Sequence, residues 1–277
     1  MTKPLLELKD VVLKVNRNTP EEIMILDHLN LTINAGDFIT VLGSNGAGKS
    51  TLFNAIGGDL SIDSGQILLN GKDIAHESVE KRTRFLARVF QDPKLGTAPR
   101  MNVAENLLLA ERRGQHRGLR PRHLNKQLDR YRELTATMHN GLDSRLTTAT
   151  GNLSGGQRQA LSFLMATLKR PEILLLDEHT AALDPQTSQD LMHLTNERVQ
   201  QEKLTCLMIT HHLEDALTYG NRLIVLHHGQ VTFDVAGEAK AALTPKNFIV
   251  SLPTLNRSLK RHESSRFVPF YYTQFLI

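Results

Sequence analysis

"VLGSNGAGKSTLF", residues 41–53, sets three glycines, a lysine and three hydroxyls between apolar stretches. A strand-to-helix turn needs one or two glycines. Gly43, Gly46 and Gly48 together let the backbone curl until successive N–H groups converge on one anion. The preceding run, "FITVL" (38–42), is continuously apolar, as expected of a strand covered on both faces. From Lys49 to about Ile56 the residues read as a helix, whose positive end adds to the same field. "GSNGAGKS" (43–50) thus fits the phosphate-cradling pattern G-x-x-x-x-G-K-[ST], in the strand–loop–helix setting that its mechanism requires. The plainer reading is a glycine-rich turn, but a random chain of this length shows the pattern only roughly once in a hundred. The expected contacts are Gly43, Ser44, Asn45, Gly46, Ala47, Gly48, Lys49, Ser50 and Thr51. Lys49 would bring a full charge to β- and γ-phosphates, and the Ser50 hydroxyl would face Mg²⁺. The loop reads as the cradle of a nucleoside triphosphate.

Outward from the loop, the chain alternates. Residues 5–15 and 29–33 read as strands, the latter with clean apolar–polar alternation, and Asn70-Gly71 in "GQILLNGKDI" (65–74) marks a hairpin. "FLARVF" (85–90) is another strand. Residues 92–158 then change to helix and loop, with a basic stretch over 112–132. Strand and helix alternate again through "EILLLD" (172–177), a helix over 185–202, "LTCLMI" (204–209), a helix over 212–219 and "RLIVLHH" (222–228). That order predicts a parallel sheet with helices on its faces, interrupted by a helical insertion. Residues 236–277 lack periodicity and end in the aromatic-rich "FVPFYYTQFLI", read either as a loosely packed terminus or as a docking segment.

Composition narrows the class. With 40% apolar and 22% charged residues, the 277-residue chain is that of an ordinary globular protein. Its single cysteine, Cys206, excludes an internal disulfide and fits a reducing compartment. No apolar run approaches the roughly 18 residues that span a bilayer, and the N-terminus lacks a signal-peptide core. A net charge of +4 is too mild to argue for nucleic acid. Guanine is disfavoured as the base, because "NKQL" (125–128) lacks the aspartate of an Asn-Lys-x-Asp reader.

The remaining motifs fall in one order: the loop, Gln91 in "VFQDP", "LSGGQ" (153–157), "ILLLDE" (173–178), "AALD" (181–184) and "THH" (210–212). On these motifs residues 5–235 resemble the ATP-binding cassette family. The resemblance implies an α/β fold: a P-loop NTPase (RecA-like) core, an antiparallel β subdomain and an inserted α-helical subdomain. The expected boundaries are a cassette over 1–235, with its core in 1–91 and 159–235, its helical insertion in 92–158, and an irregular tail over 236–277. In "ILLLDE" the apolar run delivers two carboxylates to a strand's carboxyl end, where ligands bind in open α/β sheets. Asp177 would then hold Mg²⁺ with Ser50 and Gln91, and Glu178 would act as the general base toward water. Gln91 would contact metal or water, and His211 the γ-phosphate. Ser154, Gly155, Gly156 and Gln157 would cap the γ-phosphate held by a second copy, packed head to tail, with Asp184 also at the nucleotide.

Two departures stand out. Val15 lies where family members often carry an adenine-stacking aromatic, and His179 replaces the proline of "DEPTAALD". A single cassette without coiled coil or zinc cysteines is similar to bacterial importer ATPases, and "LDEHTAALDP" resembles the tryptophan/tyrosine-type subgroup. That implies a dimer of this chain on an integral membrane permease, at the cytoplasmic face of the cell membrane, with a substrate-binding lipoprotein and no nucleic acid. Asp92 to Asn106 is the expected permease-facing segment. A soluble scaffold ATPase and an exporter subunit are the alternatives.

Overall fold

The antiparallel part of the molecule begins with β1 (Leu6–Val15), paired with β2 (Ile23–Ile33) from Leu6 opposite Ile33 to Val15 opposite Ile23. A computed structural model describes residues 3–115 and 123–251 of the chain. These form two units, one from residues up to Glu77 and from Leu207 onward, the other from Ser78 to Cys206.

In the first unit, β3 (Phe38–Leu42) is buried along its whole length, as its unbroken apolar run predicts. It leads into α1 (Lys49–Gly57). β4 (Ser64–Leu69) pairs antiparallel with β1 and turns through Asn70-Gly71 into β5 (Lys72–Asp73), giving the order β2-β1-β4-β5. Both turn residues have positive φ, 51° and 86°, which is why Asn-Gly serves there.

The second unit opens with the single turn α2 (Val79–Arg82) and β6 (Leu86–Val89). α3 (Val103–Glu111) starts with a reciprocal cap, the Asn102 side chain accepting from the Glu105 N–H while Glu105 accepts from that of Asn102. The buried Asn106 accepts from the Ala98 N–H and donates to the Ala98, Met101 and Asn102 carbonyls, pinning the loop before α3. α4 (Leu128–Ala136) is tied to α3 by the Tyr131 hydroxyl, which donates to Glu111 at 2.6 Å. The long α5 (Gly155–Leu168), β7 (Ile173–Asp177) and α6 (Pro185–Gln201) complete the unit. β6 and β7 are parallel, with Leu86 opposite Ile173 and Val89 opposite Leu176. Arg113 donates to the Ala166 carbonyl, and Arg130 and Arg132 pair with Glu111 and Asp129. Much of the described basic stretch is therefore engaged within the fold; its residues 116–122 lie outside the described residues.

The chain returns to the first unit through β8 (Cys206–Ile209) and α7 (Leu213–Thr218). β9 (Arg222–His227) lies parallel to β3, Ile39 opposite Arg222, and β10 (Gln230–Ala236) pairs antiparallel with β9. This unit's strands run in the order β10-β9-β3-β8. The tail is not irregular from 236 as expected. α8 (Gly237–Ala241) and α9 (Pro245–Ser251) follow directly. Helices of five and seven residues are too short for a periodic stripe to show in sequence. Two residues anchor them. Phe248 is buried with Leu42, Ala216 and Leu223. The Lys240 ammonium donates to the carbonyls of Leu217, Tyr219 and Gly220 at the end of α7, three donors for three acceptors, while burial pulls its pKa down to about 8. The aromatic end of the tail, part of residues 252–277, lies outside the described residues. No helix among the described residues is long and apolar enough to cross a membrane.

Candidate nucleotide-binding site

The glycine loop occupies residues 43–48 between β3 and α1, as its sequence predicts. A Cβ on Gly43 would lie 2.6 Å from the Leu226 carbonyl oxygen of β9, so no side chain fits there. Gly48 closes the loop with φ 100°, a conformation that disfavours any other residue, and it approaches the Ile25 carbonyl and Leu26 of β2. Gly48 is also the N-cap of α1 and offers no side-chain acceptor, and the first turn holds no acidic residue. The helix therefore presents a positive end that its own side chains do not neutralise. Lys49 is only 8% exposed, and its ammonium donates to the Gly43 and Ser44 carbonyls at 2.5 and 3.1 Å. Ser44 and Thr51 are half-buried, Ala47 is buried, and Asn45, Gly46 and Ser50 are exposed.

In the same unit, Thr210 donates its N–H to the Val41 carbonyl at 3.3 Å, which places His211 at the end of β8 beside the strand that enters the loop. The His211 ring is half-buried and lies 4.0 Å, centroid to centroid, from that of His212. Burial pushes the Asp215 carboxyl up, an effect that the two histidines oppose. One contact of the loop was not anticipated from sequence: Gly229, in the turn between β9 and β10, donates its N–H to the Ala47 carbonyl at 3.1 Å. "HHGQ" (227–230) carries an ordinary turn signal, but nothing in it points 180 residues back. Val15 is half-buried opposite Ile23, which is 54% exposed, with Met24 also exposed beside it. A Cβ on Gly48 would lie 3.0 Å from the Ile25 carbonyl oxygen, so this end of β2 lies beside the loop.

The other predicted residues lie in the second unit. The register of β6 with β7 brings Gln91 and Asp177 to the same strand ends. Gln91 is exposed, while Asp177 is nearly buried and accepts from Arg88 at 2.6 Å. Glu178 is held at φ 45°, a left-handed conformation that is uncommon for this residue type and concentrates at functional positions. Behind it His179 is buried, its Nε2 3.1 Å from the Thr195 hydroxyl of α6 and its ring stacked toward Phe163 of α5. Without a partner charge, burial lowers its pKa to about 4. The imidazole thus meets a side chain from each of two helices, including a hydrogen bond to Thr195 that a proline side chain could not make.

"LSGGQ" forms the start of α5. The Ser154 hydroxyl accepts from the Gln157 N–H at 3.2 Å, and the Gln157 side chain accepts from the Ser154 N–H and donates to the Asn140 carbonyl. Gln157 is thereby spent on the cap, while Ser154 and Gly155 are exposed and a Cβ on Gly155 would meet nothing. Asp184 caps α6 by accepting from the Thr187 N–H at 3.1 Å, and the Thr187 side chain, with that N–H after it, lowers its pKa. A Cβ on Gly156 would lie 2.6 Å from the Thr187 methyl, so the starts of α5 and α6 abut. Sequence order alone did not show that Asp184 and the signature glycines share one surface.

A group of three or more His, Cys, Asp or Glu residues able to hold a metal is absent among the described residues. The Asp177 carboxylate, the Gln91 amide and the Ser50 hydroxyl would offer a cation oxygen donors, the kind that Mg²⁺ favours.

Comparison with known proteins agrees with this geometry. The ABC transporter family profile matches residues 26–181. A tyrosine transport ATP-binding protein of Clostridioides difficile is 42% identical over 248 residues, covering 88% of this chain and 97% of that protein. A spermidine/putrescine import ATP-binding protein of Pasteurella multocida is 32% identical, covering 90% of this chain and 62% of the longer relative. A dimeric ATP-binding cassette in a post-hydrolysis state, bound to ADP and Pi, superposes with a TM-score of 0.71 at 26% identity, covering 83% of this chain and 98% of that one. The chain belongs to the ABC transporter family, as an ATP-binding cassette that hydrolyses ATP.

Proposed function

We propose that this cassette is the motor of a bacterial importer for a small solute, of the amino-acid class, working as a head-to-tail dimer on a separate integral membrane permease at the cytoplasmic face of the cell membrane. One observation carries the dimer. The chain has two helix starts suited to phosphate, Gly48–Lys49 on α1 and Ser154–Gly155 on α5, each without an acidic residue in its first turn. A cassette with two such ends is suited to hold ATP with one and to cover a second copy's ATP with the other. The substrate class is supported by likeness to the tyrosine transport protein. An exposed apolar side chain, Leu95 (69% exposed), within Asp92–Asn106 supports that segment as the permease-facing surface. The assignment of core (1–91 and 159–235), helical insertion (92–158) and tail (236–277) belongs to this reading.

In the cycle, Lys49 and the loop N–H groups bind the β- and γ-phosphates, and Ser154, Gly155 and Gly156 of the second copy cover the γ-phosphate, with Asp184 beside them. Gln157 holds that helix start in shape. Ser50, Gln91 and Asp177 would hold Mg²⁺, which supplies charge neutralisation at the phosphates. Glu178 takes a proton from the attacking water, and His211 steadies the γ-phosphate through the transfer. The products are ADP and phosphate, which no longer bridge the two copies. Adenine rests on the aliphatic surface of Val15 and Ile23.

The test is a pull-down of the Glu178→Gln chain from mildly solubilised host membranes with ATP. A polytopic permease, with or without a substrate-binding lipoprotein, is expected, and an ATP-dependent dimer on size exclusion. Recovery of soluble partners alone would overturn the transport reading and favour a scaffold ATPase.

A further inference from the structure

Arg88 is the one charged residue of β6, and no sequence motif gives it a role. Opposite Leu175 in the register, it reaches along β7, and its Nη2 donates to Asp177 Oδ2 at 2.6 Å. Both side chains are nearly buried, 10% and 13% exposed. Its guanidinium carbon lies 4.8 Å from the centre of the Phe90 ring. The Phe90 carbonyl accepts from Gln159 of α5 at 3.0 Å, so the ring under the guanidinium is itself fastened to the signature helix. The plain reading is a buried ion pair that keeps Asp177 from being an isolated charge. The geometry goes further, because the carboxylate that Arg88 holds through Oδ2 stands at the strand end to which the register also brings Gln91.

We propose that Arg88 is a positioning residue that holds Asp177 by one oxygen and weakens its pull on a divalent cation, so that the cation enters with nucleotide phosphates and not with the chain alone. This rests on the metal role read for Asp177 above. Two effects of Arg88 oppose each other. It orients the carboxylate, which favours the cation, and it neutralises the carboxylate, which disfavours it. Asp177 ends a buried, hydrogen-bonded strand and has only two side-chain torsions, so orientation adds little. A full positive charge one carboxylate away from a dication, in a poorly hydrated site, is the larger effect. Neutralisation wins. A lysine would keep the charge but not the planar stack on Phe90.

The experiment uses the full chain and two readouts. The first is the ratio of ATP dissociation constants without and with Mg²⁺, from displacement of a fluorescent ATP analogue in the cold, which measures how strongly metal and nucleotide help each other. The second is binding of Mn²⁺ alone to the nucleotide-free chain, by electron paramagnetic resonance. Arg88→Gln keeps a donor and removes the charge, and Arg88→Met, measured in parallel, keeps only the packing. Each is expected to create Mn²⁺ binding without nucleotide and, since the cation then depends less on the nucleotide, to lower the ratio about ten-fold. Arg88→Lys is expected to stay within about two-fold of the natural chain. In Arg88→Gln/Asp177→Asn the gained Mn²⁺ binding disappears. No Mn²⁺ binding without nucleotide, or a ratio unchanged or raised, in whichever neutral variant folds, judged by thermal unfolding, overturns the proposal. If Asp177→Asn itself leaves the ratio unchanged, the metal role of Asp177 fails instead, and the two failures are told apart by that variant.

Discussion

α1 and α5 begin in opposite ways. α1 opens on a glycine in a left-handed conformation with no side-chain cap. α5 opens on a complete reciprocal cap between Ser154 and Gln157. A capped helix start is stable by itself, whereas an uncapped one leaves its first N–H groups for another acceptor. The loop in front of α1 is shaped around a glycine backbone, with Lys49 folded against its carbonyls. The start of α5 is instead a finished surface, its exposed face kept small by Gly155. In the proposed cycle the difference gives the two helix starts separate tasks: one is built to grip, the other to be presented.

The contrast breaks most readily at Lys49. Lys49→Ala should lower phosphate release by about a hundred-fold or more, the usual loss when a charge clamp on a transferring phosphoryl group is removed. Retention of normal turnover would take the loop out of the site. Behind α5, His179 gives the second unit an acid sensitivity that the grip does not share. Its pKa is about 4 in the fold, against an ordinary 6.5, so the unfolded chain takes up the proton first as pH falls. Stability should drop between about pH 6.5 and 4 by roughly 3 kcal/mol, and His179→Leu should flatten this part of a urea-unfolding pH series. Ser154→Ala should cost about 1 kcal/mol and lower the melting temperature by about 2–4 °C. ATP binding by the monomer should be unchanged; a loss of monomer binding would mean that α5 grips too. Smallest is Val15→Tyr, expected to tighten ATP binding about three-fold in a fluorescence titration if the aliphatic surface of β2 faces adenine.

What was legible in the sequence was whatever local spacing encodes. β3 and β7 announce themselves by unbroken apolar runs, the loop by its glycines, and the turn before β5 by Asn-Gly. The first half of β2 stayed hidden because Ile23 and Met24 are apolar yet exposed, which spoils the alternation that marks Leu29–Ile33. β10 was missed although Val231, Phe233 and Val235 alternate along it, and the short helices after it were missed for want of length. At the site, residue types were readable but partnerships were not. Arg88 looks like any charge in a strand until the register places it near Asp177. Gln157 looks like a ligand contact until Asn140 accepts its amide. Asp184 and Gly156 meet only through Thr187, which no motif includes. Each of these depends on pairing across sequence distances that local patterns do not carry.

The hydrogen bond from Gly229 to Ala47 has a consequence for how the protein is made. The unit from Ser78 to Cys206 is continuous in sequence, so on a ribosome all its parts are available together before the other unit's are. The grip is the reverse case. Its loop emerges early, but the strand that walls Gly43 and the turn that braces Ala47 are translated some 180 residues later. Until residue 229 has left the exit tunnel the cradle lacks one side, so a nascent chain shorter than this does not carry the finished cradle.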